Sequence, residues 1–146
     1  MTTEYKGQCP CGAVHFTYTS TEETKPMFSA ICHCLNCRKA NGTSPHLLGV
    51  PKTAFAITKG EEDSVKHYDI TPKLQRFFCQ TCGTGIYQGP KGAPFVAVFP
   101  TNFDILRVQF PKDVPDFFQV TKQFNCENAW SNAFEGKDVG ERCEKF

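Results

Sequence analysis

The 146-residue chain is long enough for one domain with a substantial core, and its net charge of +1 comes from acidic and basic residues mixed along the sequence. It has no polybasic stripe of the kind that binds nucleic acid or anionic membranes, and no stretch approaches the roughly 18 apolar residues of a membrane span. We therefore expect a single cytoplasmic domain over residues 1–146 that binds neither nucleic acid nor membrane. An exposed apolar face could make it a homodimer.

Short β-strands dominate the predicted elements. Val14, Phe16 and Tyr18 alternate with polar residues directly after Gly12, which is typical of a half-buried strand. Further predicted strands follow at short intervals, most of them bounded by Gly, Pro, Asn or Asp, at residues 28–31, 46–50, 54–58, 65–68, 75–78, 86–88, 95–99 and 117–122. This spacing predicts a mainly β fold that is a sandwich or a barrel.

Helical signals are limited to two short segments. Residues 35–40 predict a helix that ends at Asn41-Gly42, where either residue can adopt the left-handed conformation of a helix C-terminus. A second short helix is predicted around residues 128–134, and the prolines in residues 111–115 predict a turn before the last part of the chain. The expected domain is therefore mainly β with one or two short helices.

Seven of the nine cysteines fall into three tight clusters, which are Cys9-Pro10-Cys11, Cys32-His33-Cys34-Leu35-Asn36-Cys37 and Cys79-Gln80-Thr81-Cys82. In a reducing compartment such clusters indicate thiolate ligands, and zinc is the first hypothesis. Structural zinc takes four protein ligands, whereas catalytic zinc takes three and keeps one position open. Seven cysteines therefore favour one closed site that joins two clusters and one open site built from the third, with Cys32, Cys34 and Cys37 as the natural three-ligand set.

The remaining histidines and cysteines have weaker signals. His33 could be a further ligand, but its side chain should point away from its cysteine neighbours, which favours a supporting or pocket role. The other three histidines are expected to be ordinary strand residues, namely His15, His46 and His67. Cys126 or Cys143 could supply a distant fourth ligand that closes the second site, and the alternative is that both are buried or free thiols.

Three motifs stand in the order Gly7-x-Cys9-x-Cys11-Gly12, Cys32-His33-Cys34-x-x-Cys37-Arg38-Lys39 and Arg76-x-Phe78-Cys79-x-x-Cys82-Gly83-Thr84. Together they resemble the glutathione-dependent formaldehyde-activating enzyme family, which also includes centromere protein V, over roughly residues 5–100. The resemblance implies a β-tent fold with two zinc ions. By that resemblance, the structural zinc would be held by Cys9, Cys11, Cys79 and Cys82, and the catalytic zinc by Cys32, Cys34 and Cys37.

The activity that the resemblance implies is condensation of formaldehyde with glutathione to S-hydroxymethylglutathione, formally a carbon–sulfur lyase reaction in reverse. An open zinc position could bring the thiol and the aldehyde together. We expect Arg38 or Lys39, which follow the last cysteine of the triple cluster, to meet a carboxylate of glutathione as co-substrate.

The resemblance fades beyond Phe99. Family members carry a Pro-x-x-His segment followed by a Trp, whereas this chain reads Pro115-Asp116-Phe117-Phe118, and only Trp130 matches. Most of the phenylalanines in this region should be core residues, but a few could line a pocket for a larger ligand. Two alternatives follow: a related zinc enzyme that acts on a bulkier apolar or aromatic thiol adduct or carbonyl compound, and a non-catalytic zinc-binding interaction module.

Overall fold

The computed structural model describes residues 1–106, 114–128 and 141–144. Its strands are β1 (Thr3–Gln8), β2 (His15–Ser20), β3 (Phe28–Cys32), β4 (His46–Pro51), β5 (Phe55–Lys59), β6 (Val65–Thr71), β7 (Leu74–Cys79), β8 (Gly85–Pro90), β9 (Phe95–Val98), β10 (Lys122–Phe124) and β11 (Glu141–Glu144). The α-helix of the described chain is α1 (Leu35–Asn41), and short 3₁₀ helices lie at Lys52–Ala54, Pro100–Asn102, Asp104–Leu106, Asp116–Phe118 and Cys126–Asn128. The prediction of a mainly β fold with a short helix is confirmed.

The strands form two sheets of unequal size. The small sheet has the order β1-β2-β5 and is antiparallel throughout. The large sheet has the order β11-β10-β3-β4-β9-β8-β7-β6, in which β10 runs parallel to both β3 and β11 and the other neighbours are antiparallel. None of the helices in these residues has the length and apolar character needed to cross a bilayer.

Both faces of the large sheet are covered, because successive side chains of a strand point to opposite faces. Leu48 and Val98 belong to a first core, which also takes in Phe16 and Tyr18 of the small sheet. Their neighbours Leu47 and Ala97 belong to a second core on the opposite face. The first core holds the two sheets together, and the second surrounds the residues of the candidate functional site.

Aromatic rings fill much of the first core. The rings of Phe16 and Phe103 meet edge to face with centroids 5.1 Å apart, and Phe103 meets Phe118 in the same manner at 5.3 Å. Tyr5 of β1 contacts both Phe117 and Phe118 at 5.4 Å. Each fully buried ring contributes about 1.5–3 kcal/mol by leaving water. The phenylalanines of the 3₁₀ helix at Asp116–Phe118 therefore act as packing residues that cover the small sheet.

Those contacts explain one wrong prediction. The strand expected at residues 117–122 is a 3₁₀ helix at Asp116–Phe118, and the strand begins only at Lys122. Pro115, at φ −54°, precedes that helix and favours a turn, so the adjacent aromatic side chains pack inward without pairing. β1 was not predicted, because Tyr5 is its one large apolar side chain. Of the second predicted helix, residues 129–134 lie outside the described residues, as do 111–113 of the predicted turn.

A half-buried histidine in β4 should make the protein acid-sensitive. Burial lowers the pKa of His46 to about 4, and its Nε2 lies 2.7 Å from the Ser29 hydroxyl oxygen. The unfolded chain, with a histidine pKa near 6.5, binds the proton first, so stability present above pH 6.5 is lost as the pH falls from about 6.5 to about 4. We expect the loss to reach about 2–3 kcal/mol, measured by urea unfolding across that range.

The matched control for this prediction is His46→Gln, which keeps a polar side chain for Ser29 and has no proton to gain. Acid also protonates thiolates in both proteins, so the test is the difference between wild type and variant. Equal pH dependence in the two proteins would mean that His46 does not contribute.

Candidate functional site

Two tight turns with the same construction follow β1 and β7. The backbone N–H groups of Cys9 and Cys79 donate to the carbonyl oxygens five residues later, at 3.1 and 2.9 Å. A glycine with positive φ follows the second cysteine of each turn, Gly12 at 73° and Gly83 at 77°. Glycine adopts this left-handed conformation at little cost because it has no Cβ. Each turn thereby holds its two cysteine side chains close together.

The sulfurs of these turns meet in a four-cysteine cluster, made of Cys9, Cys11, Cys79 and Cys82. All four Sγ atoms lie within 4.8 Å of one another, with 3.4 Å between Cys9 and Cys11 and 3.7 Å between Cys11 and Cys79. A tetrahedral zinc ion with bonds of about 2.3 Å separates its sulfurs by about 3.8 Å. The donor set therefore fits a closed zinc site that would join the small sheet to the large sheet.

A three-cysteine cluster lies where β3 leads into α1. Cys32 is the last residue of β3, Cys34 is the N-cap of α1, and Cys37 lies within the helix. Their Sγ atoms lie within 4.8 Å of one another. The helix ends as predicted, with Gly42 in the left-handed conformation and its N–H donating to the Arg38 carbonyl at 2.8 Å. Three thiolates would leave a tetrahedral zinc ion one further position, so this donor set fits an open site.

Each sulfur of the three-cysteine cluster accepts an N–H hydrogen bond. The Cys37 backbone donates to Cys34 Sγ at 3.3 Å, and Gln88 Nε2 donates to Cys37 Sγ at 3.2 Å. Asn125 Nδ2 donates to Cys32 Sγ at 3.8 Å. Hydrogen bonds of this kind stabilise a thiolate more than a thiol. The surroundings therefore favour the deprotonated form that metal binding requires.

The three thiols also act on one another. Hydrogen bonds from Cys32 and Cys37 lower the pKa of the Cys34 thiol below its ordinary value. The reciprocal contacts with Cys32 and Cys34, together with burial, raise the pKa of Cys37. Cys34 is therefore the first of the three to lose its proton.

A half-buried arginine brings positive charge to this cluster. Arg76 in β7 donates a hydrogen bond to Asn41 Oδ1, and its guanidinium carbon lies 4.9 Å from the centre of the Phe99 ring. Burial lowers the pKa of Arg76, while Tyr68 and Cys37 raise it. Arg76 takes no part in the ion pairs of the described residues. Its charge can thus offset the net negative charge that three thiolates would give to a zinc ion.

A cavity of about 300 Å³ opens beside the three-cysteine cluster, and all three cysteines line it. Its apolar walls include Phe28, Leu47, Phe95 and Phe124. The Phe28 ring meets Phe124 edge to face at 5.3 Å and Phe95 at 5.8 Å. Apart from the cysteines, no described residue that lines the cavity is ionisable. The volume is at the lower end of the range for small-molecule pockets, so the cavity suits a small organic group.

A side hollow of about 270 Å³ shares the lining residue Asn36 with this cavity. Lys39, Tyr68 and Asp69 form other parts of its wall. Asp69 is paired with Lys91 at 2.7 Å, and Lys39 takes no part in the ion pairs of the described residues. The Lys39 ammonium group is therefore available to an anionic ligand that reaches the cluster from this side.

The other two polar residues expected near the site face elsewhere. Arg38 is half-buried in α1, lines neither the cavity nor the side hollow, and its Nε has no hydrogen-bond partner within the described structure. His33 is 3% exposed and hydrogen-bonds with Ser44 Oγ at 3.0 Å and Gln123 Oε1 at 2.9 Å. Both ring nitrogens of His33 are engaged away from the cysteines, and His33 does not line the cavity. The remaining histidines lie in strands as expected, His15 in β2, His46 in β4 and His67 in β6.

The expectations for Cys126 are wrong. Cys126 is disulfide-bonded, so its sulfur is neither a free thiol nor available as a thiolate ligand. The side chain of Cys143 lies outside the described part of the structure.

The sequence did not indicate that Gln88 and Asn125 donate hydrogen bonds to the three-cysteine cluster, or that Arg76 brings positive charge to it. Gln88 reaches the cluster because a bulge shifts the register of β7 and β8 between Phe77 and Phe78. Such a bulge changes which face a side chain occupies and leaves no clear sequence signal. Asn125 is a non-glycine residue at φ 54°, a conformation that asparagine tolerates better than most residues.

The sequence is similar to a family of known proteins and to individual relatives. The sequence model of the glutathione-dependent formaldehyde-activating enzyme family matches residues 4–119, a range that includes both cysteine clusters. A protein of Schizosaccharomyces pombe described as an uncharacterized lyase is 33% identical over 88 residues, which cover 58% of this chain and 56% of that protein. The chain thus spans little more than half the length of this relative.

Solved structures include chains of similar fold. A crystal structure of a Rhodobacter sphaeroides protein aligns with a TM-score of 0.52 and 20% sequence identity. The alignment covers 68% of this chain and 87% of that protein. At this identity the similarity concerns the fold alone.

Proposed function

The chain belongs to the glutathione-dependent formaldehyde-activating enzyme family, and we propose that it is a zinc-dependent carbon–sulfur lyase that forms or cleaves an adduct of a thiol and a carbonyl compound. The proposed thiol is glutathione, and formaldehyde is the simplest carbonyl partner, which gives S-hydroxymethylglutathione. The name of the S. pombe relative, a lyase, supports a reaction of this class.

The observation that carries the proposal is the position of the three-cysteine cluster. Its sulfurs lie within 4.8 Å of one another and line a cavity of about 300 Å³, so an open ligand position would face a space that a substrate can enter. The four-cysteine cluster has a complete ligand set instead. We therefore assign the catalytic zinc to Cys32, Cys34 and Cys37, and the structural zinc to Cys9, Cys11, Cys79 and Cys82.

The reaction joins the thiol sulfur to the carbonyl carbon, and the thiol proton ends on the carbonyl oxygen, so nothing is oxidised or reduced. When bound, the catalytic zinc supplies a Lewis acid and stabilises a deprotonated thiol. The N–H donors of Gln88 and Asn125 hold their cysteine ligands in place, and Arg76 offsets the negative charge of the thiolates. The apolar cavity walls offer few polar groups that would hold water beside the reacting atoms.

Lys39 is the proposed contact for a carboxylate of glutathione. It is exposed, lines the side hollow and has no carboxylate partner among the described ion pairs. Arg38 is the second cation next to the cluster, and its half-buried position makes it the weaker candidate.

Replacing Lys39 with alanine should raise the KM for glutathione about two- to fivefold and leave kcat nearly unchanged, because an exposed ion pair contributes about 0.2–1 kcal/mol. Steady-state kinetics with varied glutathione measures this. Lys73→Ala is the control, since Lys73 is exposed and lies outside both the cavity and the side hollow. A KM increase of the same size in both variants would show that general charge is responsible, and not a contact with Lys39.

The proposed zinc sites are tested by counting zinc. We expect two zinc ions per chain in the wild type and one in Cys34→Ser, because the four-cysteine cluster is untouched by that change. A glutathione titration followed by calorimetry should give binding to the wild type and none to the variant. One zinc ion in both proteins, with no glutathione binding, would contradict the proposal and favour a structural zinc module.

We also propose that residues 1–146 form one domain of this family and act in the cytoplasm. Assembly as a homodimer is a further expectation, and sedimentation at several concentrations measures it.

A further inference from the structure

Gln88 has a buried oxygen atom without a partner. The residue is 2% exposed, its Nε2 donates to Cys37 Sγ at 3.2 Å, and its Oε1 has no hydrogen-bond partner among the described residues. Turning the amide around would place Oε1 against the sulfur and set two acceptors against each other when Cys37 is a thiolate. Buried polar atoms are nearly always paired. Oε1 is buried in the free protein, but Gln88 lines the cavity, so a small side-chain movement on binding would let a ligand hydroxyl group supply the missing donor.

The cavity walls select against charge. The edge-to-face rings of Phe28, Phe95 and Phe124 form one wall, and no lining residue apart from the cysteines is ionisable. Along the phenylalanine wall, away from the cysteines and their proposed zinc, a carboxylate or ammonium group would lose its hydration without gaining a charged partner. The charged ends of glutathione therefore belong outside the cavity, where Lys39 lines the side hollow.

The cavity is also too large for formaldehyde alone. A one-carbon aldehyde would leave most of the roughly 300 Å³ unfilled, whereas an aromatic ring would contact the phenylalanine wall. If the thiol reaches the cysteines from the side hollow, the cavity remains for the carbonyl partner.

We infer that the cavity binds the uncharged aromatic group of an aldehyde, and that Gln88 Oε1 accepts a hydrogen bond from the hydroxyl group of the thiol adduct. The inference rests on the proposed function, because it takes such an adduct as the ligand. Addition forms the carbon–sulfur bond, breaks the carbonyl π bond and moves the thiol proton to the carbonyl oxygen. That oxygen thereby becomes the hydrogen-bond donor that Gln88 Oε1 lacks.

Three small probes test the chemistry of the cavity by NMR titration of the zinc-loaded protein. Benzyl alcohol carries the ring and the hydroxyl donor, toluene lacks the hydroxyl, and 4-(hydroxymethyl)benzoate adds a carboxylate. We expect benzyl alcohol to bind about tenfold more tightly than 4-(hydroxymethyl)benzoate, because of the desolvation of the carboxylate. Equal or tighter binding of the carboxylate probe would overturn the inference.

The role of Gln88 is tested by Gln88→Met, which keeps a side chain of similar length and removes the acceptor. Benzyl alcohol should bind about two- to tenfold more weakly to the variant, whereas toluene should bind no more weakly than to the wild type. Unchanged affinity for benzyl alcohol, or equal losses for both probes, would overturn the assignment of Gln88.

A second variant covers the case in which Gln88→Met does not fold. Leu74 lines the cavity, is half-buried and belongs to neither core, so Leu74→Glu should fold and place a carboxylate beside the ligand. Both benzyl alcohol and toluene should then bind several times more weakly. If neither affinity changes, the probes bind elsewhere and the inference fails.

Turnover of glutathione with formaldehyde and with benzaldehyde, measured on the same preparation, separates this inference from the proposed function. No turnover with formaldehyde or with benzaldehyde, together with selective benzyl alcohol binding, would overturn the proposed reaction and leave the ligand class of the cavity supported. Normal turnover without selective binding would overturn the inference alone.

Discussion

Replacing Cys79 with serine is expected to leave the chain largely unfolded. Cys79 is fully buried at the end of β7, and the four sulfurs of the cluster join its turn to the Cys9 turn. A structural zinc ion contributes about 10–16 kcal/mol in small zinc domains, which equals or exceeds the about 5–15 kcal/mol of a typical folded domain. Circular dichroism and zinc content of the purified variant measure the effect.

Two further variants show whether loss of the proposed structural zinc causes the unfolding of Cys79→Ser. Cys82→Ser removes a ligand that is exposed, so it changes the metal site without placing a hydroxyl in the core, and it should unfold the chain as well. Thr81→Ser lies in the same turn, is exposed and removes no ligand, and should keep both zinc and stability. A folded Cys82→Ser protein without zinc at this cluster would refute the structural role.

Replacing Cys37 with serine should abolish turnover and leave the fold intact. The change removes one of three proposed ligands, and since loss of residues that merely support a metal ligand already costs about 10–100-fold, we expect more than about a hundredfold loss. The buried Gln88 amide can still donate to the serine oxygen, so the second core keeps its hydrogen bond. The exchange rate between glutathione and its formaldehyde adduct, measured by NMR, reports turnover.

Leu35→Ala is the matched control for Cys37→Ser. Leu35 lies in α1 between two of the cysteines, is 49% exposed and does not line the cavity. It should keep two zinc ions and wild-type exchange, whereas Cys37→Ser should keep one zinc ion and a cooperative unfolding transition. Unchanged exchange in Cys37→Ser would exclude the catalytic assignment.

The ends of the helix and the cysteine-bearing turns could be predicted from sequence because they depend on residues that are close along the chain. The helix α1 begins at a cysteine cap and ends at Gly42, and the turns after β1 and β7 each need a glycine with positive φ. Alternation of large apolar side chains predicted β2, and bounding Gly, Pro, Asn or Asp residues indicated most strands of the large sheet. At Phe117 and Phe118, aromatic side chains that pack beneath a loop were mistaken for part of a strand.

Which sulfurs meet, and what surrounds them, depends on long-range pairing. Cys9 follows β1 of the small sheet and Cys79 ends β7 of the large sheet, and they meet because the first core packs those sheets together. The usual ligand numbers of structural and catalytic zinc divide the seven cysteines into sets of four and three. Which two cysteine-bearing turns share the four-ligand site could be told only from a family resemblance or from a structure.

The cavity is the part of the site that only the tertiary structure reveals. Phe28, Phe95 and Phe124 come from three separate strands, and Gln88 turns toward Cys37 beside a bulge in β8. Sequence patterns record the neighbours of a residue along the chain, whereas a cavity is defined by residues that approach through sheet register and packing. The cysteine spacing therefore indicated a metal-dependent function, and the tertiary structure alone indicates the ligand that the cavity can hold.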